Sequence, residues 1–152
     1  MGYQFAGFFA LAEPPVLEEA LATWRGCRGR AITEPFHGIG VAVPERALTY
    51  GEPPHEGKRA RELAHTLEVT LVAWSRRYPA TRFVFLRAEC FGGECQYGGY
   101  VCQDGAIQER AEDPDMNQGD ALNRLVRALG VEFGQESSYF APFTRGYFDP
   151  TS

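Results

Sequence analysis

A chain of 152 residues that is 44% hydrophobic and 23% charged has the size and composition of one globular domain, large enough to hide roughly 68–70% of its unfolded surface around a single core. The net charge is −5, Arg supplies 14 of the 15 basic side chains, and no basic run occurs, which argues against nucleic-acid binding, where phosphate neutralisation dominates. No run of about 18 apolar residues is present to cross a membrane, and the apolar start lacks the positive flank of a signal peptide, so cytoplasmic residence is the expectation.

Tyr3 to Leu11 reads as an aromatic-rich strand, with Gly7 marking a bulge or a close contact and Pro14-Pro15 ending it. Val16, Leu17, Ala20, Leu21 and Trp24 then recur at helical spacing before a stop at Gly26. A strand running directly into a helix is the first half of a βαβ or split βαβ unit. In residues 27–57 the one expected strand is Ile39-Gly-Val-Ala-Val43, flanked by loops rich in Pro and Gly that hold His37 and His55. Segment 44–57 is about as long as a structureless connection becomes in a compact domain.

Lys58 to Tyr78 predicts a long helix with an apolar stripe of Ala60, Leu63, Ala64, Leu67, Leu71, Trp74 and Tyr78, stopped by Pro79. His65 lies beside that stripe as a boundary residue. Three antiparallel strands follow, 82–90, 95–103 and 106–110, joined by Phe91-Gly92-Gly93-Glu94 and by Asp104-Gly105. Asp-Gly between β-rich runs is a strong hairpin signal, because a type I′ turn needs positive φ at both centres. After a polar, acidic stretch, Asp120 is the expected N-cap of a third helix, with Leu122, Leu125, Val126 and Leu129 on one face and Gly130 as its stop. The tail, Ser138 to Phe148, is too aromatic to stay solvated and is expected to pack back on the body.

The order β-α-β-α-β-β-β-α predicts a single α+β domain over residues 1–152. Its sheet is five-stranded, mixed or antiparallel, with helices packed on one face and an aromatic C-terminal tail.

Any special chemistry is expected at the first hairpin. Cys90 and Cys95 flank a four-residue turn and would face each other across the strands, at a Cβ separation of about 4.5–5.5 Å. That spacing suits two ligands of one metal, and a modest distortion allows a disulfide. Cys102 belongs on the opposite face unless a bulge at Gly98-Gly99 turns it back; with that bulge, Cys90, Cys95, Cys102 and His37 or Cys27 would make a zinc set. Cys90 or Cys95 beside His37 or His55 supplies the residue types for a thiol nucleophile and its base. The calcium-loop reading of Asp113-Pro-Asp115-Met-Asn117 fails, because Gln118 and Arg124 occupy the positions that need Gly and Glu. No nucleophile elbow, phosphate loop or dinucleotide fingerprint occurs, and no cofactor is expected.

Two functions follow. The first is a small acidic, non-enzymatic interaction protein, inhibitor- or immunity-like, that binds a protein partner and neither nucleic acid nor membrane. Its expected contact residues are Glu89, Phe91, Gly92, Gly93, Glu94, Tyr97 and Tyr100, a hairpin tip with aromatics near it. The alternative is a thiol- or zinc-dependent enzyme that uses the Cys90/Cys95 hairpin and the loop histidines.

Overall fold

Phe8 and Phe9 are neighbours in sequence, point to opposite faces of one strand, and are both fully buried in the computed structural model. Phe83 and Val84 repeat the pattern. Strands apolar on both faces must be covered on both, and these two lie side by side in the middle of the sheet. The structure describes residues 3–11, 14–23, 27–33, 36–43, 58–92, 94–116, 118–131 and 148; the side chains of 3, 4, 14, 58–66 and 91 fall outside that description.

The sheet holds β1 (Tyr3–Ala10), β2 (Arg28–Ile32), β3 (Gly38–Ala42), β4 (Phe83–Phe91), β5 (Glu94–Gln103) and β6 (Ala106–Glu112). Every pairing is antiparallel and the spatial order is β2-β3-β1-β4-β5-β6. Helix α1 (Pro14–Thr23) follows β1, α2 (Lys58–Arg77) follows β3, and α3 (Ala121–Val126) follows β6, continuing into a 3₁₀ turn at Arg127–Leu129.

The expected α+β class stands, and three of its details change. The sheet has six strands, not five, because Arg28–Ile32 forms an edge strand in the stretch read as loop. The element order therefore gains a strand between α1 and β3. The helices cover both faces rather than one. β1 and β2 are parallel to each other with β3 between them, and β3 and β4 are parallel with β1 between them. These two crossovers step in opposite directions between strands of opposite sense, so the right-handed rule sends α1 and α2 to the same side. There Val16, Ala20, Leu67, Leu71 and Trp74 pack on Phe8, Ile39, Val41, Phe83 and Cys102. No crossover constrains α3, which takes the other face and lays Leu122, Leu125, Val126 and Leu129 on Phe9, Val84, Leu86 and Val101. Leu21, expected on the apolar stripe of α1, is exposed.

The Asp104-Gly105 turn is realised, whereas the expected four-residue turn is shorter, since Phe91 and Glu94 pair as strand residues of β4 and β5. Asp104 and Gly105 have φ of 52° and 81°, the pair of positive values that a type I′ turn requires. Ser75, fully buried in α2, accepts the Gly105 N–H at 2.9 Å and donates to the Val72 carbonyl at 2.7 Å, which ties the end of α2 to that turn. The β4–β5 register runs unbroken through Gly98 and Gly99. The register shift lies instead between β5 and β6, where Val101 and Cys102 face Glu109 and Ile107 and Gln108 is the extra residue.

Of the aromatic tail only Phe148 lies among the described residues. It stacks on Phe5 at 5.8 Å and approaches Phe9 at 6.3 Å, on the α3 face.

Candidate functional site

Cys90 and Cys95 are in register across β4 and β5, with Cα atoms 4.1 Å apart, and they form a disulfide. The spacing is that of a non-hydrogen-bonded antiparallel pair, where side chains come closest. The bond closes the hairpin directly below its turn, in which Gly92 is exposed with φ of 59°. Phe91 keeps its backbone in β4, while its side chain and all of Gly93 lie outside the described residues.

Alternation divides the other expected contacts between the two faces. Glu89 and Glu94 fall on the face of α1 and α2, beyond the helices' cores. Tyr97 falls on the α3 face, half-buried, its phenol raised above the ordinary tyrosine range by burial and then by the Asp113 carboxylate. Tyr100 leaves the contact set. It is 7% exposed, its ring stacks on Phe85 at 5.0 Å under the Arg110 guanidinium, and burial raises its phenol strongly. The reason is strand parity: Tyr97 and Tyr100 are three residues apart, so they cannot share a face.

On the α1/α2 face, Ala6, Arg87, Gly98 and Glu112 stand opposite one another across β1, β4, β5 and β6. Arg87 pairs with Glu112 two strands away, directly over Gly98, and lies 3.7 Å from Glu89. A Cβ on residue 98 would sit 2.7 Å from the Arg87 Nη2 atom, so the missing side chain is what lets this ion pair span the strand between. The row sets small residues, Ala6 and the buried Gly98, beside and beneath the Arg87 guanidinium, which has Glu89 and Glu112 next to it, and Glu94 lies further along β5 on the same face.

The zinc set is not assembled. Cys90 and Cys95 are bonded to each other. His37 precedes β3 at the Ala10 end of β1, whereas Cys90 pairs with Tyr3 at the other end, roughly 24 Å along the strand at about 3.4 Å per residue. Cys102 lies on the α1/α2 face, opposite Cys95 and three strands from β3, with its Sγ donating to the Phe83 carbonyl at 3.7 Å. Among the described residues no three His, Cys, Asp or Glu side chains converge as metal ligands. The two thiols outside the disulfide are also poorly set up as nucleophiles. Burial pushes Cys102 up to about 12, and burial raises Cys27 while its Sγ donates to the Ala20 carbonyl at 3.6 Å. His55 and the His65 side chain lie outside the described residues.

The Asp113 loop has a structural role. Asp113 is 4% exposed and its carboxylate accepts the N–H groups of Tyr97 at 2.9 Å and Ala121 at 3.0 Å. The Ala121 bond caps the start of α3 from eight residues upstream, whereas Asp120, the expected cap, makes no side-chain cap bond.

One arrangement was not legible from spacing. Arg82, Arg124 and Arg127, with Val101, Glu109 and Ala128, line an open cleft of about 660 Å³ between the sheet and α3. Only the Arg124 and Arg127 pair, at i and i+3 of the last helix, hints at it in the sequence.

No protein-family model, curated protein or solved structure matches this chain.

Proposed function

We propose that the chain is a non-enzymatic binding protein, inhibitor- or immunity-like, which holds a basic protein partner against the β4–β5 hairpin and the charged row beside it. The carrying observation is the row Ala6, Arg87, Gly98 and Glu112, whose carboxylates, with Glu89 and Glu94, outnumber its one guanidinium. Such a surface favours lysines or arginines against it by charge complementarity. The disulfide supports the same reading, since a hairpin already closed loses less freedom on binding. It also supports an oxidising compartment over the cytoplasm expected from the sequence, because cytosolic thiols are kept reduced. Glu89, Gly92 and Glu94 are the described part of the contact; Phe91 and Gly93 complete the tip.

Affinity capture from an extract of the source cells tests this. The wild-type chain should retain a partner that 0.5 M salt, at about a 4–5 Å Debye length, releases. Glu89→Lys combined with Glu94→Lys should reduce retention about tenfold while leaving the thermal melt unchanged, both side chains being outside the core. Equal retention by the double variant removes the hairpin as the contact.

A further inference from the structure

The cleft between the sheet and α3 gathers positive charge in a chain whose net charge is −5. Arg82 enters it from the residue before β4, Arg124 from α3, and Arg127 from the 3₁₀ turn, over an apolar floor of Val101 and Ala128. Arg110 also lines the cleft. Its guanidinium is on the opposite face, held by Glu68 at 2.6 Å over the Tyr100 ring. Among the described residues the charged groups acting in the cleft are therefore three guanidiniums against the Glu109 carboxylate, and two positive charges are left over. Arg124 donates to Glu109 at 2.8 Å. Arg82 reaches only the neutral Gln103 side chain, at 3.1 Å, and Arg127 has no carboxylate partner among the described residues. Neutralising the end of a helix accounts for Arg124 and Arg127. It does not account for Arg82, which comes from the sheet side of the same cleft.

We propose that this cleft binds a small phosphate-bearing ligand, with Arg82, Arg124 and Arg127 as its anion contacts. A carboxylate offers two coplanar oxygens, which one guanidinium fork satisfies. A phosphomonoester offers three tetrahedrally arranged oxygens and a charge near −2, which match three forks and the surplus of two positive charges. Val101 and Ala128 would floor the carbon part of the ligand, and Gln108 and Glu109 would accept its N–H or O–H groups. A volume of about 660 Å³ lies within the range of small-molecule sites. The site is on the opposite face of the sheet from the Arg87–Glu112 row and stands or falls separately from it.

Titration of the full ¹⁵N-labelled chain with phenyl phosphate, followed through arginine Nε–H and backbone amide NMR signals, tests this. The expected result is a saturable shift confined to Arg82, Arg124, Arg127, Val101 and Ala128. Affinity should be about fivefold tighter at pH 7.5 than at pH 5, where the ester is a monoanion. Benzoate should bind about tenfold more weakly than phenyl phosphate. Arg82→Gln and Arg127→Gln, both at exposed side chains, should each weaken binding about tenfold with spectral dispersion retained. Arg77→Gln, which breaks the ion pair with Glu19 between α1 and α2, should leave it unchanged. Non-saturating shifts across all exposed arginines, equal binding by the Arg82 and Arg127 variants, or a preference for benzoate overturns the proposal.

Discussion

Replacing Asp113 separates the loop that the structure shows from the one the sequence suggests. The carboxylate accepts two backbone N–H groups, from Tyr97 in β5 and Ala121 at the start of α3, and its own N–H reaches the Tyr97 carbonyl at 2.8 Å. Asp113→Ala keeps the backbone bond and strands two donors at a residue that is only 4% exposed. Each stranded donor costs about 1–3 kcal/mol, so the loss is about 4 kcal/mol. For a domain of this length that is roughly 12 °C in Tm, at about 2–4 °C per kcal/mol. Asp113→Asn keeps one acceptor and turns an amide N–H towards the second donor, for a loss of about 2 kcal/mol. Asp120→Ala, at an exposed residue whose side chain caps nothing, should cost under about 0.5 kcal/mol. Urea and thermal melts by circular dichroism give the three values, and hydrogen exchange at the Tyr97 and Ala121 amides localises them. A cost at Asp120 equal to or above that at Asp113 would refute the reasoning and restore the local cap.

Breaking the Cys90–Cys95 bond, by reductant or by Cys90→Ser with Cys95→Ser, should lower the urea midpoint by the equivalent of roughly 2 kcal/mol, the loop-closure value for a sequence separation of 5. An unchanged midpoint would mean that the ladder alone holds the hairpin. The Cys102 thiol, pushed up to about 12 from 9.0 chiefly by burial, favours its neutral form in the fold. Because the folded value is raised, the stability it contributes is fully present below about pH 9 and is lost as the pH climbs towards 12. Denaturant melts from pH 8 to 11 should show that decline, and Cys102→Ala should flatten it; an identical slope in the variant assigns the loss to other groups.

Much of the architecture was legible because local chemistry and fold agree. Asp104-Gly105 can make few turns other than the one found, and Leu122, Leu125, Val126 and Leu129 bury together as their spacing predicts. The number of strands was not legible. Arg28-Gly-Arg-Ala-Ile32 buries only Ile32, since an edge strand outside the main core needs no alternating pattern. Two-sided cover could have been read from Phe8-Phe9 and from Phe83-Val84, where consecutive apolar residues signal a strand buried on both faces. At the candidate site, parity and tertiary distance were the missing information. Tyr97 and Tyr100 separate by alternation, and His37 lies at the far end of β1 from Cys90. The arginine cleft joins residues from β4 and α3 that become neighbours only when α3 takes the opposite face from α1 and α2.

The extra residue in β6 has a consequence for how copies of this molecule meet. β2 and β6 are the two edges of the described sheet, and an edge strand is where the strand of another copy can add. Their side chains differ: β2 carries Arg28 and Arg30, whereas β6 mixes Glu109 and Glu112 with Arg110. A copy that adds its β2 to the β6 of another meets it head to tail. Such head-to-tail contact propagates into a filament wherever its rotation does not close into a ring. The offset at Gln108 interrupts one of the two edges on which that growth depends, because a straight incoming strand cannot stay in register across it.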